Sequence, residues 1–278
     1  MYKIIVIPNN KEMLNIDCDA ILLGINGYSV NMPFYIEIED LEEITKKTNK
    51  EIFISINKNI FNNEIENLKK ILIKLNDYNI KGVFYYDISL VNLKEKLNLK
   101  YDLVWNQEHL TTNYLTVNYW FNKGVKYTCL SNEITVREIK EIKQNTKSKL
   151  IVQMFGYVPM MNSKRHLVNN YKEEFKISDN SDINYIEKEN NVYPIVDDKN
   201  GTTVYTNKIL NGIKDVLDID VDYILLNSFM INKQEFNEVL KMYKTVTNEK
   251  KQEYYDKINN MFNSDTLFLH KETIYKVK

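Results

Sequence analysis

The stretch Ile52-Phe-Ile-Ser-Ile56 is followed by Ile65-Glu-Asn-Leu-Lys-Lys-Ile-Leu-Ile-Lys-Leu75 and then by Val83-Phe-Tyr-Tyr86. The first and third runs are short and apolar nearly throughout, which is typical of parallel strands buried on both faces. In the middle run, leucines and isoleucines recur at helical spacing. The stretch therefore predicts one strand–helix–strand unit of a parallel sheet.

The same alternation recurs along the whole chain of 278 residues. It predicts a TIM-like (β/α)8 barrel, because about eight strands alternate with helices that would cover the outside. A doubly wound open sheet is the alternative. The eight predicted strands are Lys3–Ile7, Ala20–Leu23, Ile52–Ile56, Val83–Tyr86, Leu103–Trp105, Tyr127–Leu130, Leu150–Met154 and Tyr223–Leu226.

Several helix starts can be recognised from polar residues that precede apolar stripes. Ser89 is expected to cap one helix, and Thr135-Val-Arg-Glu138 is a capping box for another. Asn207 and Asn232 are expected to open two more helices, the first carrying Ile209, Leu210, Ile213 and Leu217.

One interval breaks the alternation and predicts an inserted β-rich lobe between strands 7 and 8. Its strands are expected at 184–188, 192–196 and 202–206, with a hairpin turn at Asn200-Gly201. The lobe is either a functional element or only a cover for the barrel mouth. The expected divisions are 1–156 for seven barrel units, 157–206 for the lobe, 207–262 for the last unit and closing helices, and 263–278 for a C-terminal β-hairpin.

Composition restricts the classes of function. The chain has 37 Lys and Arg against 38 Asp and Glu, a net charge of −1, so a module that binds nucleic acid through bulk positive charge is not expected. The lysines at 140–149 are more simply a solvated helix face. No apolar run has a membrane-spanning length, and no secretory signal is recognised. Two cysteines, Cys18 and Cys129, indicate a reduced, cytoplasmic setting without a metal site or cofactor.

Candidate functional residues follow the predicted strands, since barrel enzymes place reactive groups at the C-terminal strand ends. Most are amides, of which Asn57, Asn106 and Gln107 are candidate substrate-binding residues. The carboxylates Asp87 and Glu133 are candidate acids or bases. Alternatively, Asp87 caps the next helix and Glu133 interacts with a helix dipole.

The densest polar cluster follows the seventh strand, in Phe155-Gly-Tyr-Val-Pro-Met-Met-Asn-Ser-Lys-Arg-His166. Ser163 and Arg165 are candidate substrate-binding residues, and Arg165 could bind a carboxylate or phosphate through two hydrogen bonds. Alternatively, Arg165 pairs with an acid of the lobe. The other histidines, His109 and His270, have no partner at a metal-ligand spacing.

The pattern Phe155-Gly-x-x-Pro-x-x-x-Ser-x-Arg-His166 resembles the signature segment of the U32 peptidases, the collagenase-like proteins. Further segments are similar to this family in the same order: Asp19–Gly24, Lys81–Asp87, Lys123–Glu133 and Tyr193–Leu210. The resemblance implies a barrel whose mouth acts on a peptide or protein, with Asp87, Glu133 and His166 as catalytic residues.

The resemblance also implies two other roles. Some members of the family hydroxylate RNA bases or quinones with an iron–sulfur cluster held by four cysteines, the first at the position of His166. Clusters of this kind need thiolates, and no cysteine follows Cys129, so this role is less expected here. An accessory protein without catalysis, working with a protein partner or as a homo-oligomer, is the alternative to a peptidase. RNA is not an expected partner, because the net charge is −1.

Overall fold

The computed structural model describes residues 2–107, 109–179, 181 and 183–271. Its strands are β1 (Lys3–Ile7), β2 (Ala20–Ile25), β3 (Tyr35–Ile36), β4 (Glu51–Ile56), β5 (Gly82–Tyr85), β6 (Asp102–Asn106), β7 (Tyr127–Cys129), β8 (Lys149–Gly156), β9 (Pro159–Ser163), β10 (Ile183–Lys188), β11 (Asn191–Asp198), β12 (Gly201–Tyr205), β13 (Ile209–Asn211), β14 (Tyr223–Asn227) and β15 (Ser264–Asp265).

The helices alternate with the strands over most of the chain. They are α1 (Asp40–Lys47), α2 (Ile65–Leu75), α3 (Ser89–Lys96), α4 (Tyr114–Asn122), α5 (Val136–Gln144), α6 (Leu167–Glu174), α7 (Lys233–Thr245) and α8 (Lys251–Met261). None of the helices in the described ranges is long and apolar enough to span a membrane.

Eight parallel strands close into a barrel. Their order is β1, β2, β4, β5, β6, β7, β8 and β14, and β14 pairs with both β8 and β1. Closure confirms the (β/α)8 barrel and excludes an open doubly wound sheet. All eight predicted strands are present, because each is buried on both faces: inward by the barrel interior and outward by helices.

The barrel interior is filled with apolar side chains, as in other closed eight-stranded barrels. Phe53 lies at its centre, with its ring 5.5 Å from that of Phe84, 6.1 Å from Tyr127 and 5.8 Å from Tyr223. At the N-terminal end, the Tyr223 hydroxyl donates to the Glu51 carboxylate at 2.8 Å. The interior is therefore a packed apolar core with polar groups at the N-terminal end of the barrel.

The helix starts follow the expected capping chemistry, with one correction. The Thr135 hydroxyl accepts from the Glu138 amide at 3.3 Å, while the Glu138 carboxylate accepts from the Thr135 amide at 2.7 Å. The Asn232 side chain likewise caps α7. Ser89, in contrast, is the first residue of α3 and does not cap it.

The inserted lobe is a four-stranded antiparallel sheet in the order β10-β11-β12-β9, with α6 on one face. Its three predicted strands and the hairpin are confirmed. The turn itself is Lys199-Asn200, and Gly201 already opens β12 with a φ of 121°, where a Cβ would lie 2.0 Å from the Ser163 carbonyl oxygen. Within the polar cluster that follows the seventh predicted strand, Pro159–Ser163 form strand β9, which pairs with β12.

Two predicted elements are wrong. The helix expected from Asn207 is strand β13 followed by turns, since Leu210 and Asn211 pair with Gly156 and Phe155 at the edge of β8. The adjacent Gly212 is closely packed, because a Cβ there would lie 2.5 Å from Met154 Cε and 3.0 Å from Leu269 Cδ1. Within the predicted C-terminal hairpin, Leu267–His270 form a short 3-10 helix and not a strand, and residues 272–278 lie outside the described part.

Candidate functional site

The centre of the barrel mouth is closed by the loop after β2. Met32 is buried above the interior cluster, and Tyr35 packs against the same cluster. Gly24 makes room for this closure, since a Cβ there would lie 2.8 Å from Met32 Cγ and 3.2 Å from the Tyr35 ring. The barrel axis is therefore filled at its mouth by Met32 and Tyr35.

The amides at the strand ends bind loops. Asn57 accepts from the Val30 amide and donates to the Val30 carbonyl, both at 2.9 Å. Gln107 donates to the Tyr86 carbonyl at 3.1 Å. Other amides do the same: Asn9 bonds to the carbonyls of Ser228 and Ile231, Gln153 to that of Tyr157, and Asn227 to the amide of Phe229. The amide-rich strand ends thus stabilise the loops around the mouth.

Asp87 lies at the end of β5 and is engaged by backbone groups. Its carboxylate accepts from the Ser89 amide at 2.9 Å and from the Ile60 amide at 3.3 Å. This arrangement matches the alternative in which Asp87 starts the next helix and fixes a loop.

Glu133 is exposed on another side of the mouth. Its carboxylate lies 3.2 Å from His109 Nδ1. Asn106 is half-buried at the end of β6. Among the described residues, Asp87, Glu133 and His166 are each hydrogen-bonded to other partners and not to one another.

His166 belongs to the lobe and has a buried partner. Its Nδ1 lies 2.9 Å from Oδ1 of Asp197, whose side chain is 2% exposed, while His166 is 46% exposed. The second Asp197 oxygen accepts from the Asn169 amide at 2.9 Å. Asp197 therefore fixes both the imidazole and the start of α6. No sequence rule identified Asp197 as this partner.

Ser163 and Arg165 precede this pair. The Ser163 hydroxyl accepts from the Arg165 amide at 3.1 Å, and the Arg165 carbonyl accepts from Thr202 at 2.7 Å. The Arg165 side chain is exposed. The expected ion pair of Arg165 with an acid of the lobe is not formed within the described residues.

A cleft of about 440 Å³ opens between the loop after β4 and the lobe. Two predicted site residues, Asn57 and Ser163, line it, and Asp87, Asn106, Gln107, Glu133, Arg165 and His166 do not. The rest of its lining is largely amide, hydroxyl and lysine: Asn31, Lys58, Asn59, Asn162, Lys164, Lys199, Asn200, Thr202 and Thr203. Lys58 follows Asn57 directly, so its place after the strand end could have identified it as a candidate binding residue.

The lobe is held beside this cleft by polar contacts to the barrel. The Tyr35 hydroxyl lies 3.1 Å from Oδ2 of Asp198, and Thr203 donates to Asn31 at 2.5 Å. Burial, and next the Asp198 carboxylate, raise the pKa of Tyr35 above its ordinary value of 10.0, so this hydroxyl remains a donor. Tyr205 stacks on Phe229 with 4.3 Å between ring centroids.

The thiols do not fit a four-thiolate iron–sulfur cluster. The chain has two cysteines. Cys18 precedes β2 at the N-terminal end of the barrel, where burial raises the pKa of its thiol to about 12. Cys129 is the last residue of β7 and is half-buried. A cluster held by four thiolates needs four cysteines, and two cysteines cannot complete one.

Fold and rim together define a TIM-barrel protein with a lobe after its seventh strand. Residues 8–276 match the model of peptidase family U32, and the chain belongs to this family. The solved structure of the U32 peptidase Mk0906 has the same fold, with a TM-score of 0.53 and 13% identity over 82% of this chain and 92% of that one.

Curated relatives include proteins of two named kinds. Over 92% of both chains, the sequence is 25% identical to tRNA hydroxylation protein P2 of Bacillus subtilis. It is 22% identical to tRNA hydroxylation protein P1 of the same organism, and 26% identical to the uncharacterized protease MJ0090 of Methanocaldococcus jannaschii. The chain spans 39% and 37% of those two relatives, respectively.

Proposed function

We propose that this chain is a component of an RNA-hydroxylating system and has no redox centre of its own. The observation that carries the proposal is the match over 92% of both chains to a protein named for tRNA hydroxylation. The cysteine count supports the second part, because two thiols cannot supply a four-thiolate site. The chain would then present or position RNA while the oxidative chemistry is performed elsewhere.

The test is a nucleoside measurement in cells. We expect that deletion of the gene removes or reduces hydroxylated nucleosides in digested tRNA, as measured by mass spectrometry, and that the intact gene restores them. The double variant Cys18→Ser/Cys129→Ser should restore them as well, because neither thiol is a cluster ligand. An unchanged nucleoside profile after deletion would contradict the proposed function. Failure of a folded double variant would contradict the absence of a redox centre.

A second candidate function is hydrolysis of peptides, and one observation favours it. Asp197 holds Nδ1 of His166 at 2.9 Å, which leaves Nε2 available as a base toward water. In this candidate the substrate is a peptide bound along the lobe, and Asp197 orients the imidazole. Asp87 would be a positioning residue for the loop at Ile60 and the start of α3.

The peptidase candidate is tested by cleavage of labelled casein. Replacement His166→Asn should lower the rate by about 10²-fold or more if His166 acts as the base, and Asp197→Asn should also lower it. His270→Asn is the matched control and should keep the rate, because it removes a second half-exposed imidazole held by a carboxylate, that of Asp215 at 3.1 Å, outside the lobe. Equal rates in the intact protein and in His166→Asn would contradict this candidate.

A further inference from the structure

Three lysines around the cleft lie over aromatic rings. Lys164 Nζ is 3.8 Å from the centre of the Phe61 ring, Lys199 Nζ is 5.4 Å from that of Tyr35, and Lys58 Nζ is 6.0 Å from that of Tyr28. The pairs come from three separate segments of the chain: the loop after β2, the loop after β4 and the lobe. Cation–π contacts hold the ammonium groups at fixed places around the cleft.

The carboxylates of the cleft lining are already engaged. Glu64 forms an ion pair with Lys58 at 2.5 Å. Asp198 accepts from the Asn200 amide at 2.7 Å and is hydrogen-bonded to Tyr35. Lys164 and Lys199 line the cleft and form no ion pair in the described residues, although Glu64, which is paired with Lys58, also interacts with Lys164 electrostatically. An anionic ligand would meet two positive groups there.

The Phe61 ring adds a surface for stacking. Phe61 is 56% exposed although Lys164 lies above it. Sites for single-stranded nucleic acid combine cations along a groove with aromatic rings on which bases stack. Side-chain amides such as Asn59 and Asn162 suit the donors and acceptors on the edges of unpaired bases. A volume of about 440 Å³ lies within the range of small-ligand clefts.

We propose that this cleft binds a single-stranded RNA segment, with phosphates on Lys164 and Lys199 and a base on Phe61. The proposal rests on the proposed function and adds the place where the RNA would bind. It uses a local arrangement that the net charge of −1 does not reveal.

The test measures binding of a fluorescein-labelled, unstructured oligoribonucleotide by fluorescence anisotropy at several salt concentrations. The double variant Lys164→Gln/Lys199→Gln should bind at least tenfold more weakly at low salt. The slope of log K against log salt should fall in magnitude by about 1.4, since each lysine–phosphate contact on a single strand contributes about 0.7. Phe61→Ala should weaken binding roughly tenfold with an unchanged slope.

The matched control is Lys70→Gln/Lys140→Gln, which removes the same charge from exposed positions on α2 and α5. It should keep wild-type affinity and slope. Lys164→Arg/Lys199→Arg should retain binding, because it keeps both positive charges. It therefore distinguishes an effect of lost charge from an effect of misfolding. If the intact protein binds no RNA, or if both glutamine variants lose it equally, the cleft proposal is wrong.

The same variants distinguish this proposal from the proposed function. In one outcome, gene deletion removes hydroxylated nucleosides, but Lys164→Gln/Lys199→Gln leaves the slope of log K against log salt for RNA binding unchanged. This would support the proposed function and contradict RNA binding in the cleft. In the opposite outcome, RNA binds in the cleft, but the nucleoside profile of tRNA is unaltered after gene deletion. This would contradict the proposed function and support the RNA-binding cleft. A third outcome is that the intact protein binds labelled casein but no RNA, and that Lys164→Gln/Lys199→Gln abolishes the casein binding. This outcome would assign the cleft to a peptide.

Discussion

The barrel and the lobe bury their apolar side chains to very different extents. Phe53 at the barrel centre is fully buried, and the barrel helix α2 buries three leucines. Helix α6 of the lobe buries no residue, and β10 is exposed over its last four positions. More than half of the exposed large apolar side chains in the described residues lie between Met160 and Val192. The barrel therefore supplies the stability, and the lobe supplies a surface beside the cleft.

The largest expected effect breaks the barrel core. Phe53→Ala should lower the free energy of unfolding by about 3–5 kcal/mol, because it removes a ring surrounded by Phe84, Tyr127 and Tyr223. Phe175→Ala on the lobe, where the residue is 62% exposed, should change it by about 0.5 kcal/mol or less. Urea unfolding followed by circular dichroism measures both. Similar losses in the two variants would contradict the comparison.

A smaller effect is expected where the barrel mouth is closed. Gly24→Ala should cost about 1–3 kcal/mol, because the added methyl group meets Met32 Cγ at 2.8 Å and the loop must shift. Met32→Ala removes the obstructing side chain, so the double variant should be more stable than the sum of the two single losses predicts. Strict additivity in urea unfolding would show that Met32 does not fill this space in solution.

The attachment of the lobe should respond to one hydroxyl group. Tyr35→Phe removes the bond to Asp198 and should lower the local opening free energy of β11 and β12 by about 1 kcal/mol. Hydrogen exchange measured by mass spectrometry would show faster exchange there and unchanged exchange in β4 and β5. Tyr28→Phe is the control, since the Tyr28 hydroxyl makes no hydrogen bond to the lobe in the described residues. Equal exchange in both variants would show that Tyr205 and Thr203 suffice to hold the lobe.

The smallest expected effect is a change in stability at low pH, caused by Glu51 at the N-terminal end of the barrel. Burial disfavours the charged form of Glu51, but hydrogen bonds from Lys3 and Tyr223 outweigh it and lower the pKa below 4.5. A lowered folded-state pKa stabilises the fold above the unfolded value, and this contribution is lost as pH falls through the folded-state pKa. Glu51→Gln should therefore show a shallower loss of stability below pH 4.5 than the wild type. Parallel curves for the two proteins in acid unfolding would refute this.

The sequence was most informative where local pattern and tertiary environment agree. The β4–α2–β5 unit is predictable because its strands are buried on both faces and its helix on one. The helix expected at Asn207 is wrong because the spacing of Ile209, Leu210 and Ile213 is compatible with a helix as well as with a strand. Pairing with β8 decides in favour of the strand. Asp87 follows its strand as predicted, but the loop that it holds through the Ile60 amide lies 27 residues earlier and is not specified by any local pattern.

The sequence by itself determined the barrel, the lobe position and the family resemblance, since these depend on periodicity and short motifs within one segment. It also restricted the thiol chemistry through the cysteine count. Only the tertiary structure brought Phe61 to Lys164 and Tyr35 to Lys199, and placed Asp197 under His166. These pairs lie 31 or more residues apart, and no local pattern specifies a contact that chain folding alone creates.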